Sequence, residues 1–190
     1  MADEHKAVIV PVSAGRWDDL CTVMESCSYG RKCWCAYWYL PNAQYKAGWG
    51  ETNRETLERL VKDSSEPGLI AYVGTQPAAW VSVAPRENFD RLRRSTNFAR
   101  LDDKDVWAVN CFVVAKPFRG QGLMTELAGA AAEFALARGA DGAEAYPIEP
   151  GPKSGAGDLY LGTLSAFASA GYAEVARPLP RRPIMRRMRG

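Results

Sequence analysis

The sequence predicts an α/β domain built on one mixed sheet, and three observations carry that prediction. Val106 to Ala115 (VWAVNCFVVA) is a continuous apolar run, as expected of a strand covered on both faces. A glycine turn, Arg119-Gly120-Gln121-Gly122, leads from it straight into a long helical pattern over Leu123 to Ala137. Around this unit strands and helices follow in the order β-α-α-β-β-β-α-β-α-β. The expected architecture is a single domain over residues 1–190, with about six to seven strands in a mixed central sheet and about four flanking helices.

Each element has a local reason. Ala7 to Val12 is β-rich with Pro11 near its end, which suits an edge strand. Ser13 can cap a helix over Arg16 to Ser26, where Trp17, Leu20, Val23 and Met24 recur at helical spacing. Residues 27–50 break every period and concentrate cysteines and aromatics. Glu51 to Ser64 is helical again, with Thr52 or Asn53 as cap and Leu57, Leu60 and Val61 on one face. Pro67-Gly68 ends it. Leu69 to Val73 and Ala78 to Val83 flank Gly74-Thr75-Gln76-Pro77 and read as a hairpin. Residues 85–105 hold five arginines without a clear period and predict a long loop or short helix. In the principal helix Leu123, Leu127, Ala130, Ala131 and Phe134 fall in register, and Arg138-Gly139 stops it. A strand over Gly142 to Ile148, a helix over Asp158 to Ala170 and two short strands complete the chain.

Composition excludes several classes. With 47% hydrophobic residues the chain can bury a core, and no run of eighteen apolar residues predicts a membrane span. Met1 to Lys6 is polar and lacks a signal-peptide core. Five cysteines, an odd number, predict reduced thiols and a cytoplasmic setting rather than a disulfide framework. The lone histidine, His5, disfavours His-dependent triads and zinc sites. Cys33 and Cys35 alone make a poor metal site, so no metal is expected. Residues 1–176 carry 18 basic and 22 acidic side chains, and all six bases beyond are arginines. The body is thus mildly acidic and its tail basic. Such a tail admits a nucleic-acid arm or strand-edge charge. The proline spacing at Pro178, Pro180 and Pro183 favours short edge strands, with Ile184 and Met188 inward and the arginines outward.

The strand, glycine turn and helix over 106–138 can cradle a diphosphate. First-turn N–H groups lack acceptors, the helix dipole adds positive charge, and glycines allow close approach. Neither a Walker lysine nor a third Rossmann glycine is present. In this order, Arg119-Gly-Gln-Gly122-Leu-Met124 after an apolar strand resembles the acetyl-CoA motif of the GNAT superfamily of N-acetyltransferases. Ala170-Gly171-Tyr172 after the last helix resembles a second element of that family. The Cys33-Trp-Cys-Ala-Tyr-Trp38 stretch is similar to a loop in one bacterial subgroup of it.

The resemblance implies acetyl-CoA as co-substrate, without a metal. Phe112, Val113 and Val114 would pair with the pantetheine arm, and Arg119, Gly120, Gln121, Gly122, Leu123, Met124 and Thr125 would hold the diphosphate. Met124 departs from the family's usual small residue, and Phe167 stands where a Tyr often serves as acid. Tyr160 or water would then protonate the thiolate. The resemblance also puts the acceptor site on residues 27–50, with Trp34, Tyr37, Trp38, Glu87 and Tyr146 as its wall. A carboxylate or a water chain must take the amine proton. Glu149, at a strand end, is the first choice, with Glu144, Asp158 and Glu87 behind it, while Asn110 and Cys111 lie near the expected thioester.

These readings predict transfer of acetyl to a small-molecule amine in a ternary complex. An aminoglycoside-type antibiotic is one acceptor, since aromatic walls suit sugar rings and the acidic body favours cations. Protein N-terminal or lysine acetylation is the nearest alternative; a non-catalytic acyl-CoA-binding or nucleic-acid-binding module is the alternative of another class. No membrane partner is expected, nucleic acid is disfavoured, and a homodimer is left open.

Overall fold

A computed structural model describes residues 7–63, 65–151, 155 and 159–190. Seven strands form one sheet in the order β1-β2-β3-β4-β5-β7-β6. They are β1 (Val8–Pro11), β2 (Gly68–Val73), β3 (Gln76–Pro85), β4 (Val106–Val114), β5 (Gly142–Ala145), β6 (Ala173–Leu179) and β7 (Arg182–Met188). All neighbours are antiparallel except β4 and β5, whose parallel pairing needs a crossover. Helix α7 (Leu123–Ala137) makes that crossover.

Alternation along the strands separates two cores. Trp80 and Ala84 of β3 face the layer of helix α1 (Trp17–Glu25), with Leu20, Val23 and Met24. Ala79, Val81 and Val83 face α7, where Leu127, Ala128, Ala131 and Ala132 are fully buried. Alanines on that face let the helix lie close to the sheet. Burying each large apolar side chain contributes about 1.5–3 kcal/mol. Among the described residues no helix is long and apolar enough to cross a membrane.

The aperiodic stretch 27–50 contains three short helices, α2 (Gly30–Cys33), α3 (Ala36–Tyr39) and α4 (Asn42–Ala47), ahead of α5 (Glu51–Lys62). Trp34 and Cys35, both left-handed, separate the first two. Gly50, not Thr52 or Asn53, precedes α5; Asn53 is buried and donates to the carbonyls of Lys32 and Tyr45. The arginine-rich stretch holds one short helix, α6 (Asp90–Arg93). The predicted last helix is broken at Gly162 (φ +77°), leaving a 3₁₀ turn over Leu159–Leu161 and α8 (Leu164–Ser169). A Cβ on Gly162 would come within 2.5 Å of the Phe167 ring, so only glycine fits there.

The basic tail is neither an arm nor an outward fringe. Strand β7 is internal and β6 is the sheet edge, and arginines of both meet acids. Arg177 pairs with Glu149 and Glu174, and Arg187 with Glu133 on α7. Arg186, only 7% exposed, turns inward to Glu144, itself 1% exposed, with Nε 2.6 Å from Oε2. Its other arm reaches Asp102 Oδ2 at 2.6 Å. Glu144 Oε1 accepts the Tyr146 hydroxyl and lies 3.5 Å from Arg86 Nε. Arg86 in turn donates to the carbonyls of Leu92 and Phe98. The expected outward arginine at 186 and a free carboxylate at 144 are both corrected by this cluster. A lone buried charge would be far costlier than this pairing.

Glu144→Gln leaves the two buried guanidiniums without their shared carboxylate. Urea denaturation should show it less stable by about 3–5 kcal/mol. Glu87→Gln, at an exposed pair with Arg100, should cost under about 1 kcal/mol.

Candidate active site

Strand β4 is the hinge of the site. It pairs with β5 only from Val106↔Gly142 to Val109↔Ala145. Pro147 cannot continue that ladder, and the expected strand to Ile148 ends at Ala145. The chain instead turns away, with Ile148 N–H bonded to the Gly162 carbonyl at 3.0 Å and Leu164 N–H to that of Ile148 at 2.9 Å. Beyond Val109, β4 therefore pairs with β3 alone and exposes one backbone edge. A bulge lies at the same place. Ser82 opposes Asn110 and Val81 opposes Phe112, leaving Cys111 unpaired at φ +56°.

Two cavities flank this segment. One of about 380 Å³ is lined by Phe112, Val114, Arg119, Gly120, Gly122, Leu123, Met124, Thr125 and Tyr160, among others. Gly120 and Gly122 have φ of +77° and +84°, with open space where a Cβ would point. Among the described residues nothing accepts from the backbone N–H groups of Gly120, Gln121, Gly122, Leu123 and Met124. Gly122 begins α7 without a side-chain cap. Free donors, a dipole and no side chains make this an anion cradle. Val113 turns into the α1 layer, and the Gln121 amide folds back on the Pro117 carbonyl.

The other cavity, about 650 Å³, is walled by Tyr29, Tyr37, Trp38, Phe98, Cys111 and Tyr160, with Asp90, Arg91, Arg94 and Arg182 among its polar groups. The cavities share Tyr160, and their β4 walls are the consecutive residues Cys111 and Phe112. Tyr160 stacks on Tyr29, with centroids 5.2 Å apart, and its hydroxyl donates to Cys27 Sγ at 3.4 Å. Burial first, and then the Cys27 contact, push its pKa upward, so it keeps its proton at neutral pH. Asn110 is buried beside the bulge with neither amide atom bonded to a protein partner.

Several expected site residues stand elsewhere. Trp34 is buried against Trp17, its indole N–H on the Arg31 carbonyl and the Arg54 guanidinium 5.6 Å from its ring. It belongs to the core because the left-handed turn at 34–35 points it inward. Tyr146 lies beneath the cavity floor, stacked on Trp38. Glu87 is exposed and held by Arg100, and Glu149 is held by Arg177 outside both cavities. Asp158 lies outside the described residues. Phe167 packs against Phe112 and Tyr172 as pure core. Sequence reasoning missed Arg91, Asn42, Phe98 and Arg182. The signal for Arg91, Phe98 and Arg182 was the arginine-rich loop and tail, which carry no period, and Asn42 was marked only by lying within residues 27–50.

The thiols depart from the fully reduced state expected. Cys35 and Cys111 form a disulfide with Cα atoms 6.1 Å apart, within the usual range. The left-handed turn and the bulge bring together residues separated by 76 positions in sequence. Trp80 Nε1 donates to Cys35 Sγ at 3.3 Å. The bond ties the aromatic segment to the strand at the cavity junction. Cys21, Cys27 and Cys33 are free, and burial pushes the Cys33 thiol's pKa up. Among the described residues no three metal-ligating side chains gather. Thiol titration of protein unfolded without reductant should count three thiols, and five after reduction.

A profile of the Acetyltransferase (GNAT) family matches residues 34–153. No curated protein matches the sequence. Among solved structures, a GNAT-family acetyltransferase from Listeria monocytogenes aligns at TM-score 0.59 and 10% identity, covering 99% of this chain and 98% of that one. PaiA N-acetyltransferase from Thermoplasma acidophilum, solved with coenzyme A, aligns at 0.55 and 11%, covering 97% and 99%. A polyamine N-acetyltransferase from Drosophila melanogaster aligns at 0.56 and 14%, covering 95% and 97%. These likenesses establish a shared fold.

Proposed function

This chain belongs to the acetyltransferase (GNAT) family, and we propose that it moves the acetyl group of acetyl-CoA to a primary amine of a small molecule. The observation that carries this is the junction: two cavities meeting at Tyr160 and the β4 bulge. The glycine cradle and the unpaired β4 edge fit the diphosphate and the pantetheine amides. That arrangement would deliver a thioester to the bulge, within reach of an amine in the aromatic cavity. The loop Cys33-Trp34-Cys35 supports placing the chain in a bacterial subgroup of the family.

Direct attack in a ternary complex suits this layout, since both substrates reach one point from opposite sides. The amine nitrogen bonds to the thioester carbonyl carbon, and the C–S bond then breaks. Asp90, the one carboxylate among the described residues lining the acceptor cavity, is held by Arg93 and Arg94, which lower its pKa and make it a weak base. The amine proton therefore leaves through water, and the buried, unpartnered amide of Asn110 beside the bulge is the side chain we assign to hold it. Tyr160 returns a proton to the departing sulfur, the task Phe167 cannot perform. Cys111, bonded to Cys35, is not a free nucleophile, which argues against transfer through an acyl-cysteine. Ring-shaped amines fall within this reading by the cavity's aromatic walls, whereas the polycationic aminoglycosides suit a cavity lined by Arg91 and Arg94 less well.

Gly122→Val, forced to a φ of +84° and filling the cradle, should weaken acetyl-CoA binding at least about tenfold by calorimetry. Tyr160→Phe should leave that affinity within about twofold yet lower kcat about a hundredfold in a thiol-release assay. A loss of binding without a loss of kcat would overturn the assignment of Tyr160 as acid.

A further inference from the structure

Resting on that reading, we infer that the acceptor amine also carries an anionic group, a carboxylate or phosphate, and that Arg91 recognises it. Among the described residues the acceptor cavity is lined by the guanidiniums of Arg91, Arg94 and Arg182 and by one carboxylate, Asp90. Asp90 is already shared between Arg93 and Arg94, so among the described residues it leaves the charge of Arg91 uncompensated. At these distances local charges outweigh the chain's overall sum, because charges beyond roughly 8–10 Å are screened. The acidic body does not set the sign of the site.

Arg91 is built as a receptor. Its guanidinium lies over the Tyr37 ring, Cζ 3.8 Å from the centroid. Its Nε donates to the Tyr37 carbonyl and Nη2 to Asn42 Oδ1 at 3.3 Å. These contacts fix the plane while leaving the Nη1 hydrogens without a protein acceptor, and among the described residues no carboxylate pairs with Arg91. A fixed, planar donor fork with free N–H groups matches an oxyanion. Arg182 stands in the same wall, 5.1 Å from the Phe98 ring and bonded to the Tyr146 carbonyl. A polycation entering here would meet the charge of Arg91 and find Asp90, the one carboxylate among the described lining residues, already engaged.

Thiol release with matched acceptors tests this. The pairs are phenylalanine against phenylalaninamide, glucosamine 6-phosphate against glucosamine, and spermidine as polycation. At least one anionic member should exceed its neutral partner in kcat/KM by about tenfold, equivalent to about 1.4 kcal/mol. The carboxylate and phosphate pairs tell the two anions apart. In Arg91→Gln the ratio should fall toward one, a comparison that cancels the amines' intrinsic reactivities. Arg91→Lys, keeping charge without the fork, should fall between, and an acetyl-CoA-induced rise in Tm certifies folding of each variant. Preference for neutral amines or spermidine, or a ratio unchanged in Arg91→Gln, overturns the inference and leaves amine acetylation standing. No turnover with any acceptor, while acetyl-CoA still raises Tm, removes amine acetylation and this inference with it.

Discussion

A single buried carboxylate organises one half of this molecule. Glu144 sits in β5 at the bottom of the sheet and is reached by arginines from β3's end and from β7. Because an unpaired charge there is strongly destabilising, each partner must be in place for the others to be tolerated. Arg186 extends the network to Asp102, and Arg86 extends it to the carbonyls of Leu92 and Phe98. The long arginine-rich connection, which has little secondary structure of its own, is thereby pinned at both ends. That connection supplies Arg91, Arg94 and Phe98 to the acceptor cavity. A buried ion cluster thus decides where one wall of the larger cavity stands.

The second constraint is the parting of β4 from β5. Pro147 ends the parallel ladder, the bulge at Cys111 leaves that residue unpaired, and the glycine turn closes the opened edge against α7. These three features lie within a short stretch of structure and create both cavities together. The disulfide to Cys35 then anchors the aromatic segment to the point where the cavities meet. Order in that segment comes from packing: Trp34 is inserted in the core, while Tyr37 and Trp38 turn toward the cavity.

Much of this was legible in the chain. Leu123 to Ala137 announced its helix by periodicity, and the observed bounds agree. The apolar run of β4 and the hairpin of β2 and β3 were equally direct, because local burial pattern and turn chemistry specify them. The glycine turn was read directly from the chain, while the diphosphate role of residues 119–125 came with the family resemblance. Glu149, Glu87 and Trp34 failed as site residues for one shared reason. A carboxylate or an aromatic has no sequence mark that separates a pocket from an ion pair or a core, and distant partners (Arg177, Arg100, Trp17) made that choice.

By itself the sequence determined the α/β class, the strand–glycine–helix unit and the open glycine turn at the start of α7, since all rest on interactions between near neighbours. Tertiary structure alone decided the bulge, the Cys35–Cys111 bond, the break at Gly162 and which charged side chains face the larger cavity. Those depend on contacts across 76 residues in the disulfide and across layers of the sheet. The charge is the clearest case. Counting residues makes the body acidic, yet folding pairs its acids elsewhere and leaves arginines facing the cavity, because electrostatics follows distance in space rather than order along the chain.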